Sequence, residues 1–71
     1  MHASAERFLA RSERYLREAE ERLCRQKALI RVLQQSGDPG LEDAERVLGN
    51  IRRSHELARD NLARARRPPI A

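Results

Sequence analysis

The sequence predicts an all-α fold, a two-helix antiparallel coiled-coil hairpin, and three features carry that expectation. Two apolar ladders with heptad spacing run along the chain. A single segment rich in Gly and Pro separates them. The charges beside the ladders become complementary when the chain folds back at Gly37. The first ladder is Leu9, Ser12, Leu16, Ala19, Leu23, Gln26, Ile30 and Leu33; the second is Leu41, Ala44, Leu48, Ile51, His55, Ala58, Leu62 and Ala65. Both step three and four residues alternately, the a/d pattern of helices that bury a seam against another helix.

The elements follow in order. Ser4 is expected to cap a first helix over 4–36, with Glu6 in its first turn, where an acid favours the positive end of the helix dipole. No Gly or Pro interrupts that stretch. Ser36-Gly37-Asp38-Pro39-Gly40 is the strong breaker, and the turn is placed at 37–40. Gly37 suits the left-handed residue after a helix, Asp38 the next N-cap and Pro39 the first helical position. A second helix is expected over 39–67, tolerating Gly49 at a cost of about 1 kcal/mol. Pro68-Pro69 ends it, leaving a short tail over 68–71. The whole chain is one domain of 71 residues.

With Gly37 at the centre of the turn, facing a and d residues have numbers that sum to about 74. The layers are Leu33–Leu41, Ile30–Ala44, Gln26–Leu48, Leu23–Ile51, Ala19–His55, Leu16–Ala58, Ser12–Leu62 and Leu9–Ala65. Five of the eight set a larger residue against Ala or Ser, an alternation that lets layers interdigitate. The e positions check the register independently: Glu6 faces Arg66, Glu13 faces Arg59, Glu20 faces Arg52, and Lys27 faces Glu45. All four pairs are opposite in charge. Each exposed pair is worth only ~0.2–1 kcal/mol, so they select register more than they add stability.

The other flank is different. Its g positions hold Phe8, Tyr15, Arg22 and Leu29, facing Pro68, Asn61, Ser54 and Val47. A stripe widened to a, d and g is used by bundles of more than two helices. A hairpin of this size has little core of its own. The sequence therefore predicts a homodimer, two hairpins forming a four-helix bundle, with Phe8, Tyr15, Leu29 and Val47 at the interface.

The stretch Glu13–Leu62 also resembles a group of short helical-hairpin proteins of rhizobia and related alphaproteobacteria, to which no activity is assigned. The shared pattern is an E-R-rich first helix, Gln26-Lys27-Ala28-Leu29-Ile30-Arg31-Val32-Leu33, Gly37, Ala44-Glu45-Arg46-Val47-Leu48, then His55 and Leu62. The turn departs from that pattern: Gly37-Asp38-Pro39-Gly40 stands where the group favours G-H-D-T, and is one residue longer before Ala44. The resemblance implies the hairpin fold and a bacterial source. It implies no reaction.

No residue pattern names a chemistry. His55 and Gln26 are polar residues on the seam, a placement that specifies register or oligomer state. His55 is expected to be a core histidine hydrogen-bonded to a neighbour or water. Cys24 is the sole cysteine, so no internal disulfide forms and a reducing compartment is expected. It reads as a partly buried small hydrophobe. There is no H-x-x-x-H, no C-x-x-C and no phosphate-binding glycine loop, so neither metal nor cofactor is expected. Acids sit at salt-bridge positions and solvent faces instead of converging, so the chain is not expected to be an enzyme.

No apolar run approaches the roughly 18 residues of a membrane span, and Met1–Phe8 lacks the apolar core of a signal peptide. A cytoplasmic protein without a transmembrane segment is expected. Fourteen of the fifteen basic residues are arginine. In a hairpin, residues up to 17 and from 59 onward gather at one end, where eight arginines against three acids give +5 in a chain of net +4. Arg7, Arg11, Arg14, Arg64 and Arg67 are the candidate anion or nucleic-acid contacts there. The function expected first is a non-enzymatic protein–protein interaction module acting as a homo-oligomer, which binds a further protein. A small basic nucleic-acid-binding accessory protein is the alternative.

Overall fold

The computed structural model describes residues 2–67. Two helices, α1 (His2–Ser36) and α2 (Leu41–Arg66), pack against each other as a hairpin, and no strand occurs among the described residues. The Cα trace measures 55 × 18 × 12 Å. A helix of 35 residues at about 1.5 Å per residue accounts for the long dimension. The short dimension is one helix thick. The tail expected over 68–71, and with it the Phe8–Pro68 layer, lies outside the described residues.

The heptad seam determines burial. Every residue of both ladders is buried or half-buried, and outside them only Glu13, Gly40 and Gly49 escape full exposure among residues 4–67. The best-shielded side chains are Ala19 and Leu62, at 3% and 4% exposure, joined by Ile30, Ala44 and Ser12. Four of the five belong to the Ser12–Leu62 and Ile30–Ala44 layers, where a large side chain packs over a short one that lets the helices approach closely. Ser12 satisfies its buried hydroxyl by donating to the Phe8 carbonyl one turn back, at 2.9 Å. Gln26 Nε2 donates across the seam to the Ala44 carbonyl at 2.9 Å. Gln26 thus spends its amide on the α2 backbone, one turn nearer the hairpin bend than Leu48, the residue in its own layer.

The turn is built by Gly37. Its φ of 65° is left-handed, the conformation that glycine adopts without steric cost. Asp38 N–H donates to the Leu33 carbonyl at 3.0 Å, and Gly37 N–H donates to the Gln34 carbonyl at 3.4 Å. These two bonds form the Schellman motif and cover carbonyls that the helix end leaves free.

The start of α2 differs from the expected N-cap at Asp38 and first helical position at Pro39. The helix begins at Leu41 with Gly40 as its cap. The Leu41 N–H donates to the Asp38 carbonyl, closing a tight turn with Pro39 and Gly40 at its centre. The Asp38 side chain caps that turn instead, accepting from Gly40 N–H at 2.7 Å. Ser4 likewise lies inside α1, because the helix continues back to His2.

The four e-position pairs share a flank but none closes to ion-pair distance among the described residues. Glu13 and Arg66 border one shallow depression above Leu16 and Leu62. Glu20 turns to His55 instead of Arg52. In water, the small Coulomb gain does not repay the rotamer entropy of long side chains. These charges line the flank without locking it.

Two glycine substitutions separate the roles of bend and helix. Gly37→Ala, which forces a Cβ into a left-handed residue, should lower unfolding stability by about 1 kcal/mol. Gly49→Ala, inside α2 with nothing within 4 Å of the new Cβ, should raise it by a similar amount, about 1 kcal/mol. Thermal unfolding at fixed protein concentration checks both; shifts of the same sign would contradict this account of the turn.

Candidate interaction surface

Among the described residues, six large hydrophobic side chains are left exposed, Phe8, Tyr15, Leu29, Val32, Val47 and Leu57, each between 45% and 63% accessible. Four of them, Phe8, Tyr15, Leu29 and Val47, are the g-position residues singled out in the sequence. The other two, Val32 and Leu57, occupy c positions, which adjoin g on the helix surface. All six therefore lie on one flank, and the opposite flank holds none. The c column was readable from the same heptad count; extending the stripe from g to c would have found both.

The flank has relief. Near the open end a groove of about 430 Å³ runs between the helices. Ser12, Ala19 and Ala58 form its floor, and Phe8, Tyr15 and Leu57 stand at its edge. Arg22 and Ser54 close it toward the middle of the hairpin. The short floor residues leave this space: layers that allow the helices to approach closely carry no bulk to fill the valley beside the seam. Nearer the turn, Leu29, Val32 and Val47 project from the same flank. The flank is thus concave at one end and studded at the other, with a polar waist at Arg22, Arg25, Asn50 and Ser54 between.

The whole chain exposes 6070 Å². A compact monomer of 8.2 kDa exposes about 4,500 Å². The excess of about 1,500 Å² is larger than the roughly 800 Å² that each partner contributes to a standard interface.

Arg7, Arg11, Arg14, Arg64 and Arg67 are all exposed, and none of them makes an ion pair among the described residues. Arg11 and Arg14 border a second depression with Tyr15 and Glu18. Cys24 is exposed, not partly buried as expected. It occupies a b position on the outer side of α1, where neither α2 nor the apolar flank covers it. Among the described residues no group of three or more His, Cys, Asp or Glu side chains converges.

His55 is half-buried opposite Ala19. Its Nε2 atom is buried and makes no hydrogen bond to another protein atom among the described residues. The nearest acceptor, Glu20 Oε2, lies 3.7 Å away, too far for a hydrogen bond. Gln26 and His55 therefore differ: Gln26 bonds to the backbone across the seam, whereas His55 approaches the Glu20 carboxylate without a hydrogen bond.

No family model, curated protein or solved structure matches the chain.

Replacing His55 with Leu should preserve the hairpin and stabilise it by about 1 kcal/mol, because an orphaned buried donor or acceptor disappears and apolar area faces Ala19. Helical circular dichroism with thermal unfolding reads the result. Loss of folding would show that the Glu20–His55 approach is structurally required.

Proposed function

We propose that this chain is a non-enzymatic helical interaction module that works as a homo-oligomer, two hairpins joining through the g/c flank into a four-helix bundle. The carrying observation is the one-sided distribution of all six exposed large hydrophobic side chains. Isolated apolar side chains are ordinary on a protein surface, but a single aligned set marks a contact face. Burying one such side chain contributes roughly 1.5–3 kcal/mol, so several together decide between monomer and dimer. The covered module then presents its outer helix faces to a further protein. Its carboxylates are dispersed and its grooves open, which supports binding over catalysis. The absence of a helix long and apolar enough to cross a membrane among the described residues, and a single cysteine, agree with a cytoplasmic protein.

A second reading rests on the basic open end, whose five exposed arginines make no ion pair among the described residues. It makes the chain a small nucleic-acid-binding accessory protein. That function requires DNA affinity that falls steeply with salt and weakens when Arg14 and Arg67 become Gln. Retention at low salt that does not change in this variant counts against it.

Sedimentation tests the first reading. The wild type should be a dimer at micromolar concentration. Tyr15→Glu combined with Leu29→Glu should be a monomer of lower thermal stability, whereas Arg53→Glu, on the outer face of α2, should remain dimeric. A wild-type monomer at high concentration would refute the homo-oligomer.

A further inference from the structure

We infer that the two hairpins pair end for end, so that the open end of each copy lies against the turn end of the other. This rests on the homodimer proposed above and specifies its geometry. Two closed two-fold arrangements can bring the apolar flanks together. In one the hairpins run side by side in the same direction, α1 of each against α2 of the other. In the other they run in opposite directions, α1 on α1 and α2 on α2, about an axis at the level of Arg22 and Ser54. These two residues face each other at g positions of the heptad register and so lie at one height along the hairpin.

Shape separates the two. Side by side, the groove beside Phe8 and Tyr15 faces the same groove in the second copy, and the projecting end faces the same projecting end, Leu29 against Val47 of the second copy. Hole then faces hole and knob faces knob. End for end, the three projecting residues of one copy enter the groove of the other, over the short floor of Ser12, Ala19 and Ala58. Residue numbering about the axis sets Tyr15 opposite Leu29 of the second copy. The groove is filled twice, once by each protomer.

Charge points the same way. End for end, the Asp43 carboxylate faces Arg64 of the second copy, and Glu18 faces Arg25 of the second copy. Asp43 holds Arg46 at 2.9 Å through Oδ1, which leaves its other oxygen for that contact. The two Arg22 side chains meet near the axis with a Glu18 on either side of them. Side by side, Arg11 instead faces Arg64 of the second copy and Glu18 faces Leu57. At larger scale, the open end carries +5 and the remainder of the chain −1. End-for-end pairing sets the positive half of one copy beside the slightly negative half of the other, whereas side-by-side pairing stacks two +5 ends.

A charge-swap cycle at the Asp43–Arg64 contact tests the geometry, read as the dimer dissociation constant by sedimentation at fixed salt. Asp43→Arg alone and Arg64→Asp alone should each weaken the dimer roughly tenfold, since each change breaks two symmetry-related contacts. The double variant should return to within about threefold of wild type. Ser54→Cys in a Cys24→Ser background should also form an intermolecular disulfide under mild oxidation, because the axis brings the two Ser54 positions together. A wild-type dimer in which the double variant is no tighter than either single change overturns the end-for-end geometry and leaves the homodimer standing. A wild-type monomer overturns both.

Discussion

Two helices can shield only one stripe of each other. This constraint explains the distribution of exposure over the whole molecule. In a bundle of four, each helix hides two neighbouring stripes; in a hairpin only the a/d seam is covered. Burial here follows the seam residue by residue, and even its best-shielded members, Ala19 and Leu62, keep a few per cent of their surface. The same constraint makes the flank informative. A hairpin that folded for itself alone would gain nothing from Phe8, Leu29 or Val47 at g positions, and would gain solubility from charges there. The opposite flank shows what such a surface looks like: acids and bases at e positions, which do not close on one another among the described residues.

The seam itself is uneven, and the unevenness shapes the surface beside it. Toward the turn, Leu33, Leu41, Ile30 and Leu48 supply bulk, and Gln26 ties the helices together through the Ala44 carbonyl. Toward the open end, Ser12, Ala19 and Ala58 supply close approach at the cost of volume, and the groove forms above them. His55 lies in that thinner half with its Nε2 unpartnered. The turn half is thus tied by Gly37 and Gln26, and the open half is packed closely on its small residues, which leaves the groove beside it unfilled.

Much of this was legible in the heptad count, because side-chain direction on a helix is dictated by position and tertiary context cannot rotate a ladder off its stripe. The sixteen seam residues, Gly37 as the left-handed bend and the exposure of Phe8, Tyr15, Leu29 and Val47 all follow from spacing. Other features depend on backbone detail or on rotamers that spacing does not encode. The residue type of Asp38 suits a helix cap, yet its carboxylate caps the turn at Gly40. The pairing of Glu20 with Arg52 assumed that nearby opposite charges close, but Glu20 sits nearer His55. Val32 and Leu57 occupy c positions, one column beyond the g positions that the a/d/g stripe includes.

The apolar flank and the basic end are separable surfaces, which bears on how the two functional readings relate. Arg11 and Arg64 occupy c positions, within reach of a second copy seated on the flank. Arg7, Arg14 and Arg67 occupy f positions on the outer faces of the helices, where covering the flank leaves them exposed. Dimerisation thus does not consume the basic end. In an end-for-end dimer it duplicates that end at opposite poles of a bar about as long as the 55 Å hairpin. Each pole then keeps its own solvated cluster of arginines, far beyond the roughly 8 Å over which charges interact at physiological salt. Two anionic surfaces could be engaged independently, one at each pole, without either contact opposing the association of the hairpins. The geometry that relieves repulsion between the basic ends is also the one that would make the assembly bivalent, so the mode of pairing, more than the affinity of either surface, decides what this small module can bridge.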